Sequence, residues 1–296
     1  MQDIWADWLL HGRQAGDAAL GEAIDKRVDV FADRVLDGVG PFTRLLDVGA
    51  GTGAVGFRAI ARGGPDVRVV FADMSERLLR HAAARAERLG VAGQCQFVRC
   101  GADDLAGLAA EAFDAVVTRS VLAYLPDKAA AVRAMFQVLR PGGRLSVGEP
   151  MFREEALRAV ALRMVFEARN GADVEPLLPL LCRWQGAQFP DTEAAMETNP
   201  LTNFTADDLA RHAAAAGFVD VEAELVMHEG RAAAMSWGQF LGCAPHPMAP
   251  PLGEIMRTRF SVEEREAFER ICRPALRQLT SSGERMVYLR ATRPLV

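Results

Sequence analysis

The stretch Arg44–Gly53 constrains this chain more than any other part of its sequence. An apolar run ends at Asp47 and then breaks into three glycines that alternate with small residues. Ala54–Arg62 follows with the pattern of a helix. Strand, glycine loop and helix form the opening unit of a nucleotide-binding sheet. Glycines suit such a loop because they adopt positive φ and let a ligand approach the backbone, and the helix start supplies free N–H groups.

Two ligand classes are compatible with this loop. Gly51, Gly53 and Gly56 satisfy the dinucleotide pattern G-x-G-x-x-G, but this match begins three residues beyond the expected strand end, and alone it is a weak signal. The second strand, Val67–Ala72, ends in Asp73. An acid at that place can bind both ribose hydroxyls of either class of cofactor. It therefore indicates a nucleoside without choosing between the two.

Two later motifs favour one ligand class. Phe113–Ser120 is predicted to be the fourth strand, and Leu139–Gly143 reads L-x-P-G-G before a fifth strand. With the register Asp47-x-Gly-x-Gly-x-Gly, these motifs resemble class I S-adenosylmethionine-dependent methyltransferases, in particular the group with the ubiquinone and menaquinone methyltransferases. The resemblance covers roughly residues 40 to 150. It implies an α/β, Rossmann-like, doubly wound sheet of seven strands, with an antiparallel last strand and helical insertions.

The resemblance also implies which residues bind S-adenosylmethionine. The loop after strand three departs from the family pattern, because Gly101 stands where an acid is expected to contact the adenine amine. We therefore assign that contact to the Ala102 backbone and the Asp103 side chain. Met74, directly after the ribose acid, is expected to pack against the adenine. The implied cofactor-binding residues are Asp47, Gly49, Gly51, Gly53, Asp73, Met74, Ala102, Asp103 and Arg119.

The spacing of elements predicts three segments. Residues 1–40 are expected to form a helical cap, either a lid over the cofactor or a cover for the sheet. Residues 41–150 are expected to hold the cofactor-binding core. Residues 151–296 exceed what a core requires, so we predict helical lid insertions together with the C-terminal strands that complete the same domain.

No catalytic constellation stands out in the sequence. Methyl transfer depends largely on positioning, and it needs a base only where the acceptor loses a proton. The candidates are His228, at the predicted end of strand six, His246, in a proline-rich loop, and Tyr124, after strand four. For each histidine, packing or surface exposure is the more common role. Arg119 could bind a substrate carboxylate, or it could form a salt bridge with Asp73 or Glu149.

Charge and cysteine content limit the remaining classes. The formal net charge is −5 and no basic run occurs, which disfavours nucleic acid as the main partner. The cysteines are odd in number, with 5 in the chain, and none sits at C-x-x-C spacing. We therefore expect no disulfide framework, no metal site and a cytoplasmic location. No apolar run is long enough to span a membrane.

Three functions remain open. The first is a methyltransferase of specialised metabolism, such as natural product biosynthesis, acting on a small, partly apolar acceptor at oxygen, nitrogen or carbon. The second is a non-catalytic subunit that binds S-adenosylmethionine. The third is a nicotinamide-dependent oxidoreductase, which the Leu139–Gly143 motif argues against. The expected partners are the acceptor and, as an open alternative, a second copy of the chain.

Overall fold

The computed structural model describes residues 3–14, 18–169, 175–231, 235–278 and 281–295. Their contacts divide the chain into two compact units. The core unit consists of Asp25–Met151, Phe204–Met227 and Arg285–Val296, and the helical unit of Met1–Ile24, Phe152–Asn203 and His228–Glu284. This division differs from the three predicted segments, because residues 1–40 and 151–296 each contribute to both units. The reason is that Phe31, Val35 and Val39 join the hydrophobic core of the sheet.

One seven-stranded sheet organises the fold, in the order β3-β2-β1-β4-β5-β7-β6. The first five strands are parallel to one another, and the last strand along the chain runs antiparallel to β5. This topology confirms the predicted α/β, Rossmann-like sheet with an antiparallel last strand. The strands are β1 (Arg44–Val48), β2 (Arg68–Asp73), β3 (Cys95–Arg99), β4 (Phe113–Arg119), β5 (Leu139–Pro150), β6 (Val219–Arg231) and β7 (Ser281–Thr292).

Twelve α-helices accompany the sheet in the described ranges of the chain. They are α1 (Ile4–Leu10), α2 (Ala18–Asp37), α3 (Ala54–Gly63), α4 (Glu76–Leu89), α5 (Lys128–Val138), α6 (Arg153–Ala168), α7 (Leu178–Gln188), α8 (Glu193–Thr198), α9 (Ala206–Ala216), α10 (Trp237–Gly242), α11 (Leu252–Arg259) and α12 (Val262–Gln278). Short 3-10 helices cover Gly12–Gln14, Ala92–Gln94, Ala106–Glu111 and Leu122–Tyr124. Ser75, Thr205 and Ser261 cap the helices α4, α9 and α12, since each accepts a hydrogen bond from a first-turn N–H.

The central strands β1, β2, β4 and β5 are buried on both faces, which explains their continuous apolar runs, whereas β6 is largely exposed. Successive residues of β1 point to opposite sides, so Leu45 packs in one hydrophobic cluster and Leu46 in the other. In β2, Val69 and Val70 alternate in the same way. The predicted L-x-P-G-G turn is part of β5 itself. The register with β4 shifts there, between Phe113 and Ala115.

The helical unit has a hydrophobic core of its own. Leu180, Ile255 and Phe268 are buried at its centre, and Trp184 meets the Phe268 ring edge to face at 5.8 Å. An ion pair between Arg183 Nη2 and Glu264 Oε1, 2.5 Å apart, joins α7 to the start of α12. The insertions therefore fold around their own packed side chains.

Candidate functional site

The glycine loop after β1 has the backbone geometry that its sequence predicts. The values of φ are +66° at Gly49, +56° at Gly51 and +80° at Gly53. The N–H groups of Gly49 and Ala50 both donate to the Ala72 carbonyl of β2, at 2.8 and 3.0 Å. A β-carbon on Gly49 would overlap Val121 Cγ2. Glycine is thus required here both by the backbone conformation and by the close approach of the β4 turn.

Asp47 joins this loop to the following helix. Its carboxylate is 2% exposed, and Oδ2 accepts a hydrogen bond of 2.9 Å from the Gly56 N–H of α3. Burial raises the pKa of Asp47 to about 7, and the Gly56 hydrogen bond and the Arg119 guanidinium offset part of that rise. Asp47 therefore fixes the loop relative to α3 through this hydrogen bond.

Asp73, at the end of β2, lies against the glycine loop. Oδ2 accepts from the Gly51 N–H at 2.8 Å, and Oδ1 accepts from the Ser75 N–H at the same distance. The side chain is only half-buried. A carboxylate held at both oxygens and open to solvent is suited to accept hydrogen bonds from ribose hydroxyls.

Ala102 and Asp103, which are predicted to contact the adenine, lie in the loop after β3. Ala102 is buried, whereas Asp103 is exposed. A β-carbon built on Gly101 would lie 2.7 Å from Asp103 Oδ1, so the Asp103 carboxylate occupies the space beside Gly101 where a side chain is missing. Met74 is 67% exposed. Its packing against adenine stays a prediction.

Arg119 ends β4 at the same edge of the sheet. Nη1 donates to Ser120 Oγ at 3.2 Å, and the buried Nε has no hydrogen-bond partner among the described residues. Burial raises the pKa of both Asp47 and Glu149, and the charge of the guanidinium offsets part of each rise. A salt bridge from Arg119 to Asp73 or Glu149 stays a prediction.

The turn after Arg119 carries Tyr124 and has an unusual backbone. Ser120 has a φ of +58°, which is uncommon for a residue with a side chain and is a frequent mark of functional sites. Glu149, fully buried in β5, accepts hydrogen bonds from the backbone of this turn. From the sequence, Glu149 is considered only as a salt-bridge partner for Arg119. No role is assigned there to Lys128, which donates to the Leu125 carbonyl at 3.0 Å.

The two candidate histidines lie in the helical unit. His228 is a half-buried residue within β6, which continues to Arg231, so the prediction that strand six ends at His228 was wrong. His246 is 2% exposed, and its Nε2 lies 2.9 Å from the Gln188 carbonyl oxygen. The Phe152 and Phe189 rings flank it at 5.5 and 5.4 Å. Burial lowers the pKa of His246. This environment favours core packing over catalysis for His246.

The core unit thus brings together the predicted cofactor residues at the carboxyl ends of β1 to β4. The described residues hold no cluster of His, Cys, Asp or Glu able to bind a metal ion. No described helix combines the length and apolar character that crossing a bilayer requires. All five cysteines are free and half-buried. A glycine loop, an acid after β2 and an antiparallel last strand together define a class I methyltransferase fold.

Comparisons with known proteins agree with this class. Residues 41–185 match the family model of the methyltransferase domain. The tRNA 5-carboxymethoxyuridine methyltransferase of Escherichia coli K12 is 34% identical over 116 residues, which are 39% of this chain and 43% of that protein. The ubiquinone/menaquinone C-methyltransferase UbiE of Ectopseudomonas mendocina is 39% identical over 114 residues, or 38% and 44% of the two chains.

A solved structure shows the same fold. The YcgJ protein of Bacillus subtilis superposes with a TM-score of 0.56 at 15% identity, over 90% of this chain and 98% of that one. Residues 41–185 form a class I S-adenosylmethionine-dependent methyltransferase domain, and S-adenosylmethionine is its cofactor. The chain spans less than half the length of the curated relatives that it matches.

The residues at the sheet edge fit this cofactor. Side chains at Gly49 and Gly53 would overlap Val121 and Phe57, so glycine is needed at both positions for the loop to pack against these neighbours. The Asp73 carboxylate is half-exposed beside Gly51. The assignment of individual residues to parts of the cofactor stays a prediction.

Proposed function

We propose that this chain transfers a methyl group from S-adenosylmethionine to a small, partly apolar acceptor. Oxygen is the preferred accepting atom, and nitrogen and carbon are the alternatives. The observation that carries the proposal is the contact between Asp73 and the Gly51 N–H, 2.8 Å long, at the carboxyl ends of β1 and β2. In a doubly wound sheet, ligands bind at that edge.

Each cofactor residue has a proposed role. The glycine loop gives the cofactor access to the backbone, and Asp47 holds the loop against α3. Asp73 accepts hydrogen bonds from the ribose hydroxyls. Met74, Ala102 and Asp103 contact the adenine. Arg119, whose buried Nε lacks a described hydrogen-bond partner, binds a carboxylate of the cofactor or of the acceptor.

Positioning supplies most of the catalysis in this proposal. When bound, S-adenosylmethionine supplies a methyl group activated by a positively charged sulfur. The chain holds the acceptor in line with that group and excludes water, which can remove a large part of the barrier. Tyr124 and His228 are the candidates for holding the acceptor's proton. His246 is a weaker candidate because it is buried beside two phenylalanines.

The helical unit supports an apolar acceptor. On α6, Leu157, Met164 and Val165 are 46%, 61% and 45% exposed. They recur at helical spacing and are available to a ligand. Trp237 and Phe240 pack against the unit's own core.

Charge argues against a nucleic-acid substrate. The Escherichia coli relative is named for a tRNA nucleoside, but this chain has a net charge of −5 and lacks a basic run. Phosphate backbones need clustered lysine and arginine. A small acceptor of specialised metabolism, methylated in the cytoplasm, therefore suits this chain better.

Cofactor binding is the first test. Titration calorimetry should show one S-adenosylmethionine per chain. Asp73→Ala should weaken binding by about 1–3 kcal/mol, the scale of a lost hydrogen bond to a charged group. Asp104→Ala removes an exposed acid from the loop after β3 and is the matched control. Equal affinity of the Asp73 variant and the wild type would exclude the ribose role.

Turnover is the second test. The protein is incubated with S-adenosylmethionine and a panel of phenols, quinols, hydroxy acids and amines, and release of S-adenosylhomocysteine is measured. Methylation of a small acceptor from this panel is the expected result. Binding without turnover on any acceptor would support the non-catalytic alternative, and binding of NADH alone would support the oxidoreductase.

A further inference from the structure

The turn after β4 receives a buried anion at its backbone donors. Glu149 is 0% exposed. Its Oε1 accepts from the Val121 N–H and its Oε2 from the Ala123 N–H, each at 3.0 Å. Burial raises the pKa of Glu149, and hydrogen bonds from the Ala123, Val121 and Leu122 N–H groups offset part of that rise. Charge-assisted hydrogen bonds of this kind are about twice as strong as neutral ones.

A buried cation contacts the other end of the same turn. Lys128 is 5% exposed at the start of α5. Its Nζ donates to the Leu125 carbonyl at 3.0 Å and lies 4.7 Å from the centroid of the Phe204 ring. Burial lowers the pKa of Lys128 to about 8, and the charge of Glu149 offsets part of that change. The N–H groups at the start of the turn thus face an acid, and the carbonyl at its end faces a base.

The turn held in this way borders the glycine loop. Val121 occupies the space that a side chain at Gly49 would fill. Ser120, one residue earlier, has a φ of +58°. Residues with side chains adopt this conformation only where the surroundings fix it. Both observations indicate a turn that is held in one particular position beside the loop.

Stability alone does not explain these two charges. Removing a carboxylate and an ammonium from water costs several kcal/mol for each ion, and apolar side chains of similar volume often stabilise a protein equally well or better. A buried acid and a buried base that both bind backbone therefore need a role in geometry.

We propose that Glu149, together with Lys128, is a positioning residue for methyl transfer. It fixes the turn Val121–Leu125, which keeps Val121 against the glycine loop and sets the position of Tyr124. The inference rests on the proposed function, because it assumes that the cofactor binds at this loop. Glu149 itself acts through the turn and touches no reacting atom.

The two tyrosines of the chain make the proposal testable. Incorporation of 3-fluorotyrosine gives one fluorine resonance for Tyr124 and one for Tyr288, which Tyr124→Phe assigns. Tyr288 is buried in β7 within the hydrophobic cluster that also holds Phe31, so it reports on the sheet. We expect Glu149→Gln, which turns one oxygen into an amide donor, to move or split the Tyr124 resonance alone.

The same variant should weaken cofactor binding. Calorimetry with S-adenosylhomocysteine as the probe should show an affinity about tenfold lower, in line with hydrogen bonds to a charged group. Lys128→Met keeps the length of the side chain without its charge, and it should act in the same direction. It also supplies the answer if Glu149→Gln fails to fold.

Asp114→Asn is the matched control. The Asp114 carboxylate also accepts three hydrogen bonds from backbone and side chain, from Thr43 N, Thr43 Oγ1 and Arg44 N at 2.7, 2.8 and 2.9 Å. It lies at the beginning of β4, whereas the turn follows the end of that strand. We expect this variant to lower the melting temperature, with the Tyr124 resonance and the probe affinity unchanged.

The outcomes separate the two proposals. Unchanged Tyr124 resonances in both Glu149→Gln and Lys128→Met would overturn the positioning role, and so would an equal loss of affinity in Asp114→Asn. Failure of the wild type to bind S-adenosylhomocysteine would overturn the proposed function. In that case the fluorine spectra of the ligand-free variants still decide whether Glu149 and Lys128 hold the turn.

Discussion

Gly56 illustrates how one residue can imitate a ligand motif. It completes the dinucleotide pattern G-x-G-x-x-G, but it lies within helix α3 and not in the glycine loop. A β-carbon at this position would overlap the Phe71 ring, and the Gly56 N–H donates to Asp47. Close packing of α3 on β2 explains this glycine. Because the dinucleotide pattern also uses its third glycine for close packing of helix on strand, Gly56 does not choose between a nicotinamide cofactor and S-adenosylmethionine.

The buried Asp47 makes stability depend on pH. Its pKa rises from 3.8 in an unfolded chain to about 7 in the folded one, chiefly through burial. Because the folded state holds this proton more tightly, the contribution of Asp47 is complete below pH 3.8 and is lost as the pH rises through 7. We expect the free energy of unfolding to fall between pH 5 and pH 8 by on the order of 1–3 kcal/mol from this group.

Asp47→Asn should flatten that decline, because an asparagine oxygen can still accept from Gly56 but carries no charge. Urea unfolding at several pH values measures the effect. Asp33→Asn is the control. Arg58 lowers the pKa of Asp33 through a hydrogen bond and its charge, so the Asp33 contribution changes only in acid. Parallel pH profiles of the wild type and Asp47→Asn would contradict the prediction.

Among the elements, those with a strong local signal were predicted and those that depend on distant contacts were not. The central strands of the sheet are apolar runs in the sequence because both of their faces are covered. Thr205 and Ser261 mark the starts of helices because each caps the first turn. The short helices α8 and α11 were both missed. Thr192 caps α8, but that helix has only 6 residues, and α11 follows a proline that gives no side-chain cap.

The residues of the site also divide into those with a local sequence signal and those that depend on distant contacts. The glycines and Asp73 stand next to one another in the known motif, so the sequence was sufficient to predict them. Glu149 and Lys128 meet a common turn only because β5 lies beside β4 and α5 follows that turn. Their shared role depends on strand register, which no local pattern records.

The first helix provides the prediction at this scale. Ala6 of α1 is fully buried, and Trp8 Nε1 donates to the Ala244 carbonyl at 3.1 Å. If the N-terminal segment covers the cofactor, deletion of residues 1–16 should lower the affinity for S-adenosylmethionine while unfolding stays cooperative. Hydrogen exchange over α1 should slow when ligand binds, since ordered backbone exchanges less.

A substitution separates covering from packing. Trp8→Phe removes the hydrogen bond to Ala244 but keeps a large aromatic ring in place. It should reproduce only part of the loss of affinity. Exchange rates over α1 that do not respond to ligand would show that this helix serves the packing of the helical unit alone.

The whole molecule is assembled from segments that alternate along the chain. Each unit draws on three separate stretches of sequence, so neither can be cut out as a continuous piece. Experiments on either unit therefore need the full chain. A homodimer stays a prediction, and light scattering of the full chain at several concentrations would test it.

The chain has only two lysines, so the rate at which each is acylated can be measured separately. Its two lysines, Lys26 and Lys128, differ sharply in exposure, because Lys26 lies on the outside of α2 and Lys128 is buried beneath the turn. A brief pulse of an amine-acylating reagent, read by mass spectrometry, should mark Lys26 at once. Lys128 should be marked only as often as the core opens. The rate of acylation at Lys128 would then report how often the core of the folded protein opens.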